Sequence, residues 1–174
     1  LQNADSIYVA QNISLMSTGI YGMGISSTAS SNHATIAGEV YGYYTSIFLG
    51  DDGALDSGHR VTITSTGSAL SEVGVGVALR GANSTLQNYG MIGGEYGVFL
   101  ASDGGRITNS GHIFGYDYCV QQLTPTNVNA ATLINYGTIE SPGRAYLGDF
   151  DFTDIIWNSG SITGNIFQLA GDDV

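Results

Sequence analysis

The acidic residues are the first place in this chain where chemistry could be done. Asp103, Asp149 and Asp172 are spaced at multiples of one interval, roughly 23 residues, and Arg80 lies one such interval before Asp103. If the chain returns on itself at that interval, these positions share one corner, together with Asp51, Asp52 and Asp173. Copies in adjacent turns would lie about 5 Å apart, and carboxylates that close require a raised pKa or a bridging cation. Calcium is the ion such a corner takes, because it is hard and collects carboxylate and carbonyl oxygens. The same separation suits a retaining glycosidase, but stacking gives it to any Asp pair and so discriminates nothing. Solvated acidic turns that discourage edge pairing account for the same residues.

A second chemistry-bearing set is aromatic. Eleven Tyr face only four cationic residues, and Tyr41, Tyr43 and Tyr44 cluster just ahead of Asp51 to Arg60. Tyr offers ring area with a polar handle, so this cluster is the candidate binding face for a glycan or a protein surface. Arg144 with Asp149, Asp151 and Asp154 is the richest charged cluster and reads as surface ion pairing. Other motifs carry less. Gly74-Val75-Gly76-Val77 lacks the third Gly of a dinucleotide loop, and His33, His59 and His112 have no metal-ligand spacing. Cys119 sits in an apolar run and reads as a small core residue. Val61 to Thr66 alternates Thr like an ice-binding face, but Gln87, Thr108, Ile134 and Trp157 take the later places.

The elements that must position these residues are announced by repetition. Asn88-Tyr89-Gly90, Asn109-Ser110-Gly111, Asn135-Tyr136-Gly137 and Asn158-Ser159-Gly160 recur once every roughly 23 residues. Leu86, Ile107, Leu133 or Ile156 precedes each Asn by two, and Ile92, Ile113, Ile139 or Ile162 follows it by four. Alternation of apolar and polar residues is a strand period, and a unit this short buries its apolar face only against neighbours above and below. The pattern predicts an all-β fold, a right-handed parallel β-helix of about seven coils of roughly 23 residues. The earlier anchors are placed at Asn12, Asn32 and Ser65, and residues 51–60 are read as an inserted surface loop. Each Asn is expected to tolerate left-handed backbone and to bond to its copy in the next coil, and each Gly two residues later to supply positive φ. Asn88, Asn109, Asn135, Asn158, Gly90, Gly111, Gly137 and Gly160 are therefore corner residues of a scaffold.

Composition sets the surroundings. Twenty-six Gly, two Pro, no Lys and a net charge of −11 describe many tight turns under an acidic coat, which argues against nucleic acid or anionic membrane as partner. No segment approaches the roughly 18 to 20 apolar residues of a membrane helix, so no direct membrane insertion is expected. Residues 1–174 read as a single solenoid domain and as a segment of a longer array, since a further coil would be due after Val174.

The pattern Asn-x-Gly-x-Ile-x-Gly, followed by an apolar strand and Gly171-Asp172-Asp173, resembles the repeats of bacterial autotransporter passengers and of large secreted adhesins, best from Ser84 to Val174. That resemblance implies a β-helical stalk secreted to the bacterial cell surface, carrying adhesive, enzymatic or self-associating segments, and it brings no catalytic residues with it. The calcium nonapeptide of such proteins is matched only at its Gly-Asp core. The expected function is an extracellular structural or adhesive solenoid, not an enzyme, that stacks end to end with further coils or other copies and meets a glycan or a host or neighbour-cell surface protein. The alternative is a carbohydrate-active β-helix, a polysaccharide lyase or hydrolase.

Overall fold

A computed structural model describes residues 1–51, 56–123, 129–148 and 153–169. Among them every regular element is a strand. In chain order these are β1 (Ser6–Val9), β2 (Ser14–Ser17), β3 (Met23–Ser27), β4 (His33–Ile36), β5 (Glu39–Gly42), β6 (Thr45–Leu49), β7 (Arg60–Ile63), β8 (Ser68–Ser71) and β9 (Val75–Arg80). Then follow β10 (Thr85–Asn88), β11 (Met91–Ala101), β12 (Arg106–Asn109), β13 (His112–Leu123), β14 (Ala131–Asn135), β15 (Thr138–Leu147), β16 (Asp154–Asn158) and β17 (Ser161–Phe167).

Each coil gives one strand to a seven-stranded parallel sheet, ordered β1-β4-β7-β10-β12-β14-β16. The other strands make a ten-stranded parallel sheet. In the first three coils that second sheet is built from pairs of short strands, β2 with β3, β5 with β6, and β8 with β9; from β11 onward one long strand covers both halves. The result is a parallel β-solenoid of about six turns, close to the seven coils expected.

Stacking lines the interior with columns of like residues. Ala34, Val61, Leu86, Ile107 and Leu133 align in the first sheet, and Val40, Ala69, Ile92, Ile113 and Ile139 in the second. All are buried, at about 1.5–3 kcal/mol for each larger side chain. One step of about 4.8 Å separates neighbours in a column, so branched aliphatic side chains touch their own kind above and below.

Register corrects the reading of the first half. The column that holds Asn88, Asn109, Asn135 and Asn158 continues backward through Ile63, Ile36 and Val9, not through Ser65, Asn32 and Asn12. An inward position at a strand end accepts an aliphatic side chain as readily as an amide bonded to its own copy, and the polar residues two to four places away carry a false echo of the motif. One outward position of the first sheet returns at Ser6, His33, Arg60, Thr85, Arg106, Thr132 and Ile155. Its step is longest in the first two coils and shortest from Thr85 to Arg106, so extra length is spread over the early coils rather than gathered in one insertion. Within the span read as an inserted surface loop, residues 52–55 lie outside the described residues, while Asp56 and His59 are buried and Arg60 opens β7, so its second half belongs to the coil.

The glycines after the Asn residues also act differently from expectation. Gly90, Gly111, Gly137 and Gly160 do not have positive φ. A Cβ on Gly111 would lie 2.2 Å from the Gly90 carbonyl oxygen, and the same contact recurs at 2.1 Å for Gly137 and 2.2 Å for Gly160. They are glycine because the backbone of one coil passes too close to the next. Left-handed backbone belongs to a different corner, where Ala4, Ser31, Gly58, Asn83 and Gly104, each two residues ahead of a first-sheet strand, all have φ between 57° and 73°. Asn83 and Asn12 (φ 64°) owe their identity to that conformation.

Candidate functional site

The expected Asn ladder is assembled, in strand-end rather than left-handed backbone. Asn88 Nδ2 donates to Asn109 Oδ1 at 2.8 Å, Asn109 to Asn135 at 2.8 Å, and Asn135 to Asn158 at 2.7 Å. Asn88, Asn109 and Asn158 also accept, through Oδ1, the N–H of the glycine two residues on, at 3.1–3.2 Å. The ladder therefore satisfies buried amides and closes the corner. It is a structural device, with no free group to offer a ligand.

The acidic corner is not assembled among the described residues. Arg80 pairs with Ala101 rather than with Asp103. Asp103 Oδ1 accepts the Asn129 N–H at 2.7 Å and Oδ2 accepts its side-chain amide at 3.3 Å, while Asp51 donates its backbone N–H to Asp56 Oδ2 at 2.7 Å. Asp103 and Asp51 serve separate turns, and no group of three or more His, Cys, Asp or Glu that could hold a metal ion occurs among the described residues. Asp52, Asp149, Asp151, Asp172 and Asp173 lie outside those residues. Coil length explains the miss: the step is not constant even along the ladder, 21 from Asn88 to Asn109 and 26 from Asn109 to Asn135. A fixed interval therefore does not keep two residues in one column.

The three tyrosines separate. Tyr41 projects from β5 and its hydroxyl donates to Glu72 Oε2 at 2.9 Å, a bond that raises its pKa. Tyr43 donates its backbone N–H to the Ser17 carbonyl. Tyr44 turns the other way, meets Tyr21 edge-on at 6.4 Å, and joins Phe48, Arg80, Tyr96, Phe99 and Gln121 around a depression on the outer side of β6, β9 and β11. Phe48, Ala78 and Phe99 form one outward column, and the Arg80 guanidinium lies 5.4 Å from one ring and 5.6 Å from the other. No carboxylate lines the depression among the described residues. Sequence reasoning missed it, because the step from Phe48 to Ala78 differs from the step from Ala78 to Phe99 and no period links them.

Asp149 and Asp151 lie outside the described residues, and among those residues Arg144 meets other partners than Asp154. Arg144 stacks on Tyr118 at 4.7 Å and on Phe167 at 5.7 Å, and pairs with Asp117 at 3.7 Å, whereas Asp154 is buried at the start of β16. A buried polar pair lies elsewhere: His59 Nε2 lies 2.8 Å from Asp56 Oδ1, both side chains buried, and Nδ1 accepts the Asn32 N–H at 3.3 Å. That bond uses Nδ1 as acceptor and turns Nε2 to the Asp56 carboxylate. Cys119 is fully buried and its thiol donates to the Glu140 carbonyl at 2.9 Å, as expected of a core residue. The Thr62 column holds Gln87, Thr108, Ile134 and Trp157, as read from sequence.

No protein family, curated protein or solved structure matches the chain.

Proposed function

We propose that the chain is an extracellular structural and adhesive β-solenoid of a bacterial surface or secreted repeat protein, whose sheet edge takes parallel strands from further coils of its array or from other copies. The observation that carries this reading is the edge formed by β16 and β17. Among the described residues β16 pairs only with β14 and β17 only with β15. Ile166 is 48 % exposed there, although Ile47, Val77, Val98 and Val120 in the same column are 0 % exposed.

A row of unpaired backbone groups beside apolar side chains is a template for another strand. Because the opposite edge is a different surface, the contact is head-to-tail and does not close, so it grows filaments. The outer faces are then free to adhere, with the Tyr44–Phe99 depression one surface for a glycan or a protein of a neighbouring cell. We favour this over an enzyme because Arg144, the basic residue of the richest charged cluster, is engaged by Tyr118, Phe167 and Asp117. Calcium at the acidic corners of the coil is part of this reading, and chelation tests it.

Light scattering down a dilution series, with calcium and then with chelator, tests the proposal. The expected result is a mass above 18.1 kDa that rises with concentration, and a chain that stays at 18.1 kDa throughout contradicts it.

A further inference from the structure

The outward face of the seven-stranded sheet is charged against the trend of the whole molecule. Its two outward columns run Ser6, His33, Arg60, Thr85, Arg106, Thr132, Ile155 and Tyr8, Thr35, Thr62, Gln87, Thr108, Ile134, Trp157. Of the 15 Asp and Glu in a chain of net charge −11, none stands in either column, while two of its four Arg do. No register shift interrupts these strands. Arg60, Arg106 and His33 are exposed and make no side-chain ion pair among the described residues. The nearest corner carboxylate in sequence to Arg106, that of Asp103, is held by Asn129.

We infer that this face binds a linear polysaccharide bearing carboxylates on alternate sugars, laid along the solenoid axis. Arg60 and Arg106 are two coils apart, about 10 Å, which matches the advance of one disaccharide in an extended chain. Each guanidinium can grip a carboxylate through two N–H donors. Thr62, Thr85, Gln87 and Thr108 lie between and beside them and supply hydroxyl and amide partners for sugar hydroxyls. Tyr8 and Trp157, each 65 % exposed, stand at the two ends of the neighbouring column and offer rings for sugar faces. Low charge density follows from the rest of the molecule: the acidic coat repels a polyanion charged at every unit, such as a nucleic acid, more strongly than one charged at every second. This inference names a ligand for the adhesive reading and rests on it.

Trp157 is the only Trp and so reports on the face directly. We expect its emission to change saturably on titration with an alternating uronate polysaccharide such as hyaluronan oligosaccharide at low salt, and to stay flat with neutral maltohexaose. The double variant Arg60→Gln/Arg106→Gln should weaken binding at least tenfold with an unchanged melting profile, because both side chains are exposed, and Arg144→Gln should leave it intact. No response to the uronate chain, an unaltered affinity in the double variant, or tighter binding of a single-stranded DNA oligonucleotide would overturn the inference. Assembly measured by light scattering is independent of these side chains, so failure here with growth there removes the basic face alone, and monomers that bind the chain remove the edge alone.

Discussion

The Asn ladder joins an aliphatic column at one residue, and that junction makes its energetics separable. Asn88 has Ile63 on one side and Asn109 on the other, so Asn88→Ile extends the aliphatic column and breaks one ladder bond. Asn109→Ile breaks two and strands an amide on each side. We expect Asn109→Ile to cost about 1–3 kcal/mol more than Asn88→Ile in urea unfolding, the penalty of an additional buried polar group left without its partner. Equal losses would mean that the ladder is not a chain of coupled bonds. Cys119 gives a second test at this scale. Burial pushes its thiol from 9.0 up to about 12, so the folded chain holds that proton more tightly than the unfolded one. Its contribution to stability is complete below about pH 9 and is lost as pH rises from there towards 12. At pH 8 iodoacetamide should label it only as fast as the fold opens, and rapid labelling of the native chain would refute the burial. Residue identities at the ladder were legible because four coils repeat one Asn-x-Gly frame. The reason for each glycine was not, since an absent Cβ reads the same whether the cause is positive φ or a carbonyl 2.2 Å away.

Columns are the working unit at the scale of the element. Leu49, Leu79 and Leu100 stack in one interior column, and Gln122 follows them, fully buried, with neither amide atom bonded among the described residues. Gln122→Leu should therefore raise stability, by about 1–3 kcal/mol, seen as a higher urea midpoint at unchanged slope. A loss would show that the amide has a function beyond packing. Strand alternation from Leu86 onward could be read directly because coils there keep one motif. The earlier coils were misregistered because Val9, Ile36 and Ile63 stand where the motif has Asn, and an aliphatic residue in a strand is not distinctive. Variable coil length separated Arg80 and Asp103, which a fixed interval had grouped. The aromatic depression around Arg80 has the same origin: its members meet through register, which no single coil reveals.

Among the described residues the stack of coils ends at β16 and β17, each with one neighbour, and the proposed function places the next strand there. Stability of such a fold is a sum of coil and interface contributions, so an added coil at the edge gains what an interior coil already has. The stack itself was legible in outline from repetition, while the exposure of Ile166 depended on the final register of β15 and β17. Ile166→Lys places a charge where an incoming strand would bury it, on a side chain already half exposed, and should spare the fold while opposing growth. Sedimentation velocity of the native chain beside Ile166→Lys is the most direct measurement: species larger than 18.1 kDa that grow with concentration in the native chain and vanish in the variant are the result expected, and the same monomeric boundary for both would contradict growth at this edge.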